Sequence, residues 1–293
     1  MDYLSPAVSI ITPAYKRVDY LAEAIKSALD QTFSDFELVV CDDSAEPKIE
    51  ALCRSYEDPR IIYRANEQRL GIAMNNYRGF QTARSDLLTK LDDDDRWTPN
   101  FLEKLVPVML SNSEICLAFS DHWLIDSEGN RMLEASEEQT TKFGRHFLNY
   151  GLVKQPKLLI SHKSIPLASS AVFRKSAIDW STYSEKVGGA YDLFLSSCLV
   201  SSGMEVFYVP ERLTEYRLHS GSGTSNRRLQ NSLETLWVSE KIYTNTYFQD
   251  IASDYRNICS YNSKITGNAY LHERQLISAL LYYIQAIKYH FIA

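Results

Sequence analysis

Leu87-Leu88-Thr89-Lys90-Leu91-Asp92-Asp93-Asp94-Asp95-Arg96-Trp97-Thr98-Pro99 is the stretch on which the reading of this chain turns. Leu87 to Leu91 has the character of a strand. Thr98 followed by proline predicts an N-cap with proline at N1, opening a helix through Phe101, Leu102, Leu105 and Val106. Asp92 to Asp95 therefore stand in a strand-to-helix turn, and in open α/β sheets ligands bind at that end of the strands. Adjacent carboxylates repel one another, a cost that a divalent cation and its phosphates relieve. Magnesium or manganese takes a few carboxylate oxygens plus waters and substrate phosphates, so one or two of the four aspartates suffice as ligands. A solvated acidic turn is the plain alternative. An EF-hand loop would place Glu103 at its last ligand position, but Arg96 replaces a ligand and Trp97 stands where glycine must make the turn.

Working outward, the first hundred residues alternate β-branched runs with segments of helical period, which predicts βαβ units around a mostly parallel sheet. Val8 to Thr12 is the first strand. Asp19 is the expected cap of a helix with Leu21, Ala24, Ile25, Ala28 and Leu29 on one face. Glu37 to Asp42 and Ile61 to Tyr63 follow as strands, with helices over Ala45 to Tyr56 and Gly71 to Ala83. Ile115 to Phe119 is a further strand, after which the pattern loosens into expected loops and short strands through Ser164. Ala171 to Phe173 predicts a strand, Asp192 to Ser201 a helix, and the chain beyond Arg228 is helical. The expected division is a catalytic and binding domain over 1–225, with acceptor contacts from 120–225, and a helical extension over 226–293.

The chain has 293 residues, of which 45% are hydrophobic and 23% charged, an ordinary globular balance. Its formal charge of -6 argues against a nucleic-acid partner, which would call for basic surface to displace counterions. Cys41, Cys53, Cys116, Cys198 and Cys259 form no CxxC pair, so neither a disulfide framework nor a zinc site is signalled and a reducing compartment is expected. Met1 to Pro6 lacks the pattern of a secretory signal, which predicts a cytoplasmic protein. Leu276 to Ile292 is apolar but falls short of the roughly 20 residues that span a bilayer. It reads as a packed helix, with peripheral contact at the inner face of the membrane as the alternative.

No GxGxxG or GxxxxGK[ST] occurs, so diphosphate charge has to be met by metal and arginine. No GxSxG elbow is present either. Asp42-Asp43 closes the second strand at the ligand edge of the sheet, where carboxylates can accept from a ribose or a base, although helix capping explains such a pair equally well. Thr12-Pro13-Ala14-Tyr15 is a turn that could set backbone and an aromatic ring against a base.

Together, Val8-Ser9-Ile10-Ile11-Thr12-Pro13-Ala14-Tyr15, Cys41-Asp42-Asp43-Ser44 and Leu91 to Pro99 resemble the family-2 glycosyltransferases of the GT-A fold in order, spacing and strand context. The likeness is close over 8–120 and looser to residue 222. It implies a Rossmann-like, mostly parallel sheet flanked by helices. The implied reaction is inverting transfer of a sugar from a nucleoside-diphosphate sugar, usually a uridine one, to a hydroxyl acceptor, with Mn2+ or Mg2+ as cofactor. Cell-surface polysaccharide or glycoconjugate synthesis is the implied setting.

Carried over by position, the resemblance implies that Thr12, Pro13, Ala14 and Tyr15 line the nucleoside pocket and that Asp43, beside Asp42, contacts base or ribose. Arg69 would sit near the nucleotide. Asp92 would face the ribose, with Asp93 beside it in the donor-binding turn, and Asp94 would hold the metal. Gly189 to Leu195 matches the segment that carries the family's base and nominates Asp192, with Tyr191 in place of the frequent glutamate. Tyr216 to Ser222 resembles the closing YRxH-type segment and nominates His219 as a metal ligand. Met74 to Gly79 departs from the family's Ala-Arg-Asn triplet, which leaves the donor sugar open. Carbohydrate, lipid-linked and protein acceptors are all compatible with this pattern. A sugar-1-phosphate nucleotidyltransferase would share the sheet but show a glycine-rich basic loop after the first strand, where Lys16-Arg17 supplies charge without glycines. A non-catalytic nucleotide-sugar-binding protein would keep the acidic turn and have no need of a base.

Overall fold

Val8–Ala14 forms β1, buried along nearly its whole length, and the sheet is laid around it. In this computed structural model, which describes residues 5–44, 46–219 and 227–291, β1 leads to α1 (Val18–Leu29) and back to β2 (Phe36–Asp42). Next come α2 (Pro47–Ser55), β3 (Ile61–Ala65), α3 (Gly71–Thr82) and β4 (Leu87–Lys90). β1 pairs in parallel with β2 and with β4, and β2 in parallel with β3. β1, β2 and β4 are covered on both faces, which explains their nearly continuous apolar runs, while β3 at the edge is only partly covered.

The second half of the sheet is mixed. It contains β5 (Arg96–Trp97), α4 (Phe101–Ser111), β6 (Ile115–Ile125), α5 (Leu133–Lys142), β7 (Gly151–Leu152), α6 (Pro156–Ser161) and β8 (Ala171–Arg174). Then follow α7 (Tyr191–Ser201), β9 (Glu205–Arg217), α8 (Arg228–Thr244), α9 (Ala252–His272) and α10 (Leu276–Phe291). The sheet order is β3-β2-β1-β4-β8-β6-β9-β5, with β7 paired to β9. β8 is antiparallel to both β4 and β6, whereas β6 and β9 run parallel.

One face of the sheet carries Leu21, Ile49 and Leu105 from α1, α2 and α4. On the other, Phe80 of α3 and Leu195 of α7 share a core with Val238, Ile242 and Tyr255 of α8 and α9. The C-terminal helices are thus packed into the same core as the sheet. α3 approaches β1 so closely that a Cβ at Gly79 would lie 2.4 Å from Ile11 Cγ2, which explains glycine inside that helix.

Four local expectations are corrected. Asp19 does not cap α1; Arg17 holds the N-cap position, and Asp19 lies in the first turn, where the helix dipole favours a carboxylate. Thr98 is not the cap of α4; Asn100 is, and the Thr98 hydroxyl ties the turn to β9 through Leu213 O at 3.1 Å. Between 120 and 164, β6 continues to Ile125 and α5 follows it. β9 was not foreseen, because Pro210-Glu211-Arg212 interrupts its strand pattern and its register with β6 shifts at Asp121.

Candidate active site

The ends of β1, β2 and β4, the start of α7, the end of β9 and the first turns of α8 enclose a cleft of about 840 Å³. That is within the range of roughly 300–1,000 Å³ typical of ligand sites. Pro13, Ala14, Tyr15, Asp43, Arg69, Asp92, Asp93, Asp94 and Asp192 line it together, so the turns after three separate strands converge as expected.

The four aspartates divide into different roles. Asp95 is fully buried and accepts from Ser169 Oγ at 2.6 Å and from Arg217 N at 2.9 Å. Burial, reinforced by Asp94 and Asp92, holds its carboxyl well above the ordinary range, which makes it a brace rather than a ligand. Asp93 is also buried; it accepts from Tyr15 N at 3.0 Å and pairs with Arg17 at 2.9 Å. Burial raises its carboxyl to about 7, with Asp94 and Asp92 adding to the rise and Arg17 opposing it. Asp92 pairs with Lys90, whose side chain is fully buried in β4 and lies 4.9 Å from the Tyr191 ring. Asp94 meets Arg17, and its Oδ2 is 3.0 Å from His219 Nε2.

Asp94 and His219 give a carboxylate oxygen and an imidazole nitrogen at one point. Among the described residues no group of three or more His, Cys, Asp or Glu could hold a metal ion. A two-donor set still fits Mg2+ or Mn2+ on a nucleotide, because such ions complete their shells with phosphate oxygens and water. Ser220 to Ser222 of the closing segment lie outside the described residues.

Beside the turn after β1, the Arg69 guanidinium lies 4.4 Å from the centre of the Tyr15 ring. Asp43 accepts from Leu70 N at 2.7 Å, Asn66 Nδ2 at 2.8 Å and Gly71 N at 2.9 Å, so it holds the loop that presents Arg69. Gly71 has φ +77°, a conformation glycine adopts without strain. Asp42 is not brought into the cleft; it is fully buried and accepts from Ser44 N, Ser44 Oγ and Tyr63 OH. Thr12 is likewise enclosed within β1 and does not line the cleft, and its Oγ1 has no hydrogen-bond partner there.

Asp192 stands in the first turn of α7, where its Oδ1 accepts from Leu193 N at 2.7 Å. Burial raises its carboxyl above the ordinary value, which favours a group that receives a proton.

The model of the family Glycosyl transferase family 2 matches residues 9–179. The chain belongs to that family. A glycosyltransferase of Rickettsia typhi with no characterised activity is 29% identical over 236 residues, covering 80% of this chain and 71% of its own. Escherichia coli WfgD, a UDP-Glc:alpha-D-GlcNAc-diphosphoundecaprenol beta-1,3-glucosyltransferase, is 32% identical over 126 residues, 43% of this chain and 48% of the relative. Among solved structures, Staphylococcus aureus TarS 1–349 superposes with a TM-score of 0.68 at 15% identity over 95% of this chain and 80% of that one. The mannosyltransferase PcManGT of Pyrobaculum calidifontis, in complex with GDP-Man and Mn2+, gives 0.63 at 13% identity over 99% and 82%. The nine-stranded sheet with its flanking helices is the GT-A fold.

Three residues in or beneath this family-2 glycosyltransferase cleft escaped the sequence reading. Lys90 could have been noticed as a lysine inside an apolar strand. Arg17 was seen only as a basic residue after β1. Glu234 of α8 is buried, and Gly189 N donates to it at 2.7 Å, as do Gln230 at 2.8 Å and Arg227 at 3.1 Å. No local signal ties Glu234 to the cleft, because the backbone N–H it holds there, that of Gly189, is 45 residues away.

Proposed function

We propose that the chain moves a sugar from a UDP-linked donor to a hydroxyl acceptor, inverting the anomeric centre, with Mn2+ or Mg2+ as cofactor. The observation that carries this reading is the convergence of Asp94 and Asp192, 98 residues apart in sequence, on one cleft with Tyr15 and Arg69. In this scheme Tyr15 and Arg69 hold the nucleoside, and Arg17 adds positive charge near the diphosphate. When bound between Asp94 and His219, the cation supplies charge against the leaving diphosphate. Asp192 takes the proton of the acceptor hydroxyl as its oxygen attacks the anomeric carbon, and the bond to the diphosphate oxygen breaks with its electron pair. Attack from the face opposite the leaving group inverts the centre. A carboxyl raised by burial is a stronger base than an exposed one, which suits Asp192 to this step.

UDP is favoured because WfgD uses UDP-Glc and TarS was solved with UDP-GlcNAc. The putative teichuronic acid glycosyltransferase TuaG, 29% identical over 145 residues, supports a role in polysaccharide synthesis. We assign 1–225 to catalysis, with acceptor contacts from 120–225, and 226–293 to a helical extension whose first helix closes the cleft. No helix among the described residues is long and apolar enough to cross a membrane. The helix α10 nevertheless turns Ile277, Leu280, Leu281, Ile284, Ile287 and Phe291 outward, with Lys288 among them and no acidic residue along its length. That surface suits peripheral contact with anionic lipid at the cytoplasmic face, where a lipid-linked acceptor would lie.

The test is UDP release from a panel of UDP-sugars. Asp192→Asn should lower turnover by roughly 10²–10⁴-fold while UDP affinity stays unchanged. Unchanged turnover would remove Asp192 from the base role.

A further inference from the structure

Arg17 follows the tight turn at Lys16, whose φ is +66°, and its guanidinium reaches back into the cleft. One nitrogen, Nη2, lies 2.9 Å from Asp93 Oδ1. The other, Nη1, contacts Asp94 Oδ2 and is 3.3 Å from His219 Nε2. Those last two atoms are the donors assigned above to the metal, and they stand 3.0 Å from each other. A divalent ion bonded to both, at about 2.0–2.6 Å from oxygen, would occupy the space that Nη1 fills. The ion and this position of Arg17 exclude one another.

We propose that Arg17 is a tethered cation which occupies the metal position while the cleft holds no nucleotide, yields it when the metal binds, and transfers its charge to the diphosphate. This inference rests on the reading of Asp94 and His219 as metal donors. Its consequence is that metal and nucleotide bind cooperatively.

Charge balance supports this role. Lys90 pairs with Asp92, while Arg17 pairs with Asp93 and Asp94, so part of the acidic turn's charge is already offset by the chain's own cations. An entering metal ion therefore competes with a charge already in place. The Arg17 side chain is 29% exposed and lines the donor cleft, so it has open space into which to move. Without nucleotide, displaced Arg17 exchanges two carboxylate partners for water. With a diphosphate present it gains an anion whose geometry its planar fork matches. The metal then enters at a smaller net cost. By linkage, the factor by which nucleotide tightens metal binding equals the factor by which metal tightens nucleotide binding.

The experiment reads manganese binding directly, from the electron paramagnetic resonance signal of free Mn2+ titrated with purified full-length protein, with and without UDP. In the wild type, UDP should tighten Mn2+ binding by about tenfold or more, within the usual span of coupling. Arg17→Ala should bind Mn2+ alone about tenfold more tightly than the wild type, and the effect of UDP should shrink. Arg17→Gln, which keeps most of the side chain and removes its charge, should behave alike and guards against a folding defect in the alanine variant. Equal or weaker Mn2+ affinity in both variants overturns the inference. If Asp94→Asn in the same experiment still abolishes Mn2+ binding, the metal assignment survives that failure. Absence of Mn2+ binding in every protein, even with UDP, overturns both.

Discussion

Replacing Gly188 with alanine tests how α8 holds the segment that leads into α7. A Cβ at Gly188 would lie 1.8 Å from Glu234 Cδ and 2.1 and 2.3 Å from its two oxygens. Glu234 has to leave, and with it the 2.7 Å bond from Gly189 N and the partnership with Arg227 and Gln230. Loss of a hydrogen bond to a buried charge costs about 1.5–3 kcal/mol. Gly188 also has φ +45° with ψ -129°, a combination open in practice only to glycine, and holding another residue there costs roughly 1–3 kcal/mol. The sum is about 2.5–6 kcal/mol, measurable as a lower midpoint in urea. Because Asp192 lies four residues later in the first turn of α7, turnover should fall with stability, while Tyr15, Asp43 and Arg69 keep UDP affinity near the wild-type value. Glu234→Ala should absorb part of the Gly188→Ala penalty in a double-mutant cycle, since the two changes meet at one contact. A wild-type urea midpoint and turnover in Gly188→Ala would refute the role of Glu234 in holding this segment.

Two further outcomes follow from the geometry. Burial lifts Asp93 from its ordinary 3.8 to about 7, so between those values the folded chain keeps a proton that the unfolded chain has released. Its contribution to stability therefore falls as pH rises from about 4 to about 7 and is level above; Asp93→Asn should make the fall of melting temperature across that window shallower, leaving the part due to Asp95 and Asp192, and an unchanged slope would contradict the assignment. Ile277→Glu with Leu281→Glu on α10 should reduce sedimentation with anionic phospholipid vesicles by several-fold and leave UDP affinity unchanged; equal sedimentation would remove α10 from membrane contact.

The donor half was legible because its signals are local. β1, β2 and β4 each end within a few residues of the carboxylates or aromatic they deliver, and helical spacing marks α1 from its own side chains. What stayed hidden depends on distant pairing. β9 is recognisable only beside β6, since Pro210 and the shift at Asp121 erase its alternation. Asp42 and Asp43 are adjacent and chemically identical, yet the pleat sends Asp42 to Tyr63 and Asp43 to the loop before α3. Sequence spacing cannot separate them. The pairing of Arg17 with Asp93 and Asp94 spans about eighty residues, and that of Glu234 with Gly189 spans 45. Both needed the closed cleft to be seen.

The most direct test of the central claim is calorimetric titration of UDP into the wild type and Asp94→Ala, with manganese present and then with chelator. Binding to the wild type that needs manganese and is lost in Asp94→Ala is the expected result. Equal UDP binding by both proteins, or no binding by the wild type under either condition, would contradict the assignment of the acidic turn as the metal and diphosphate site.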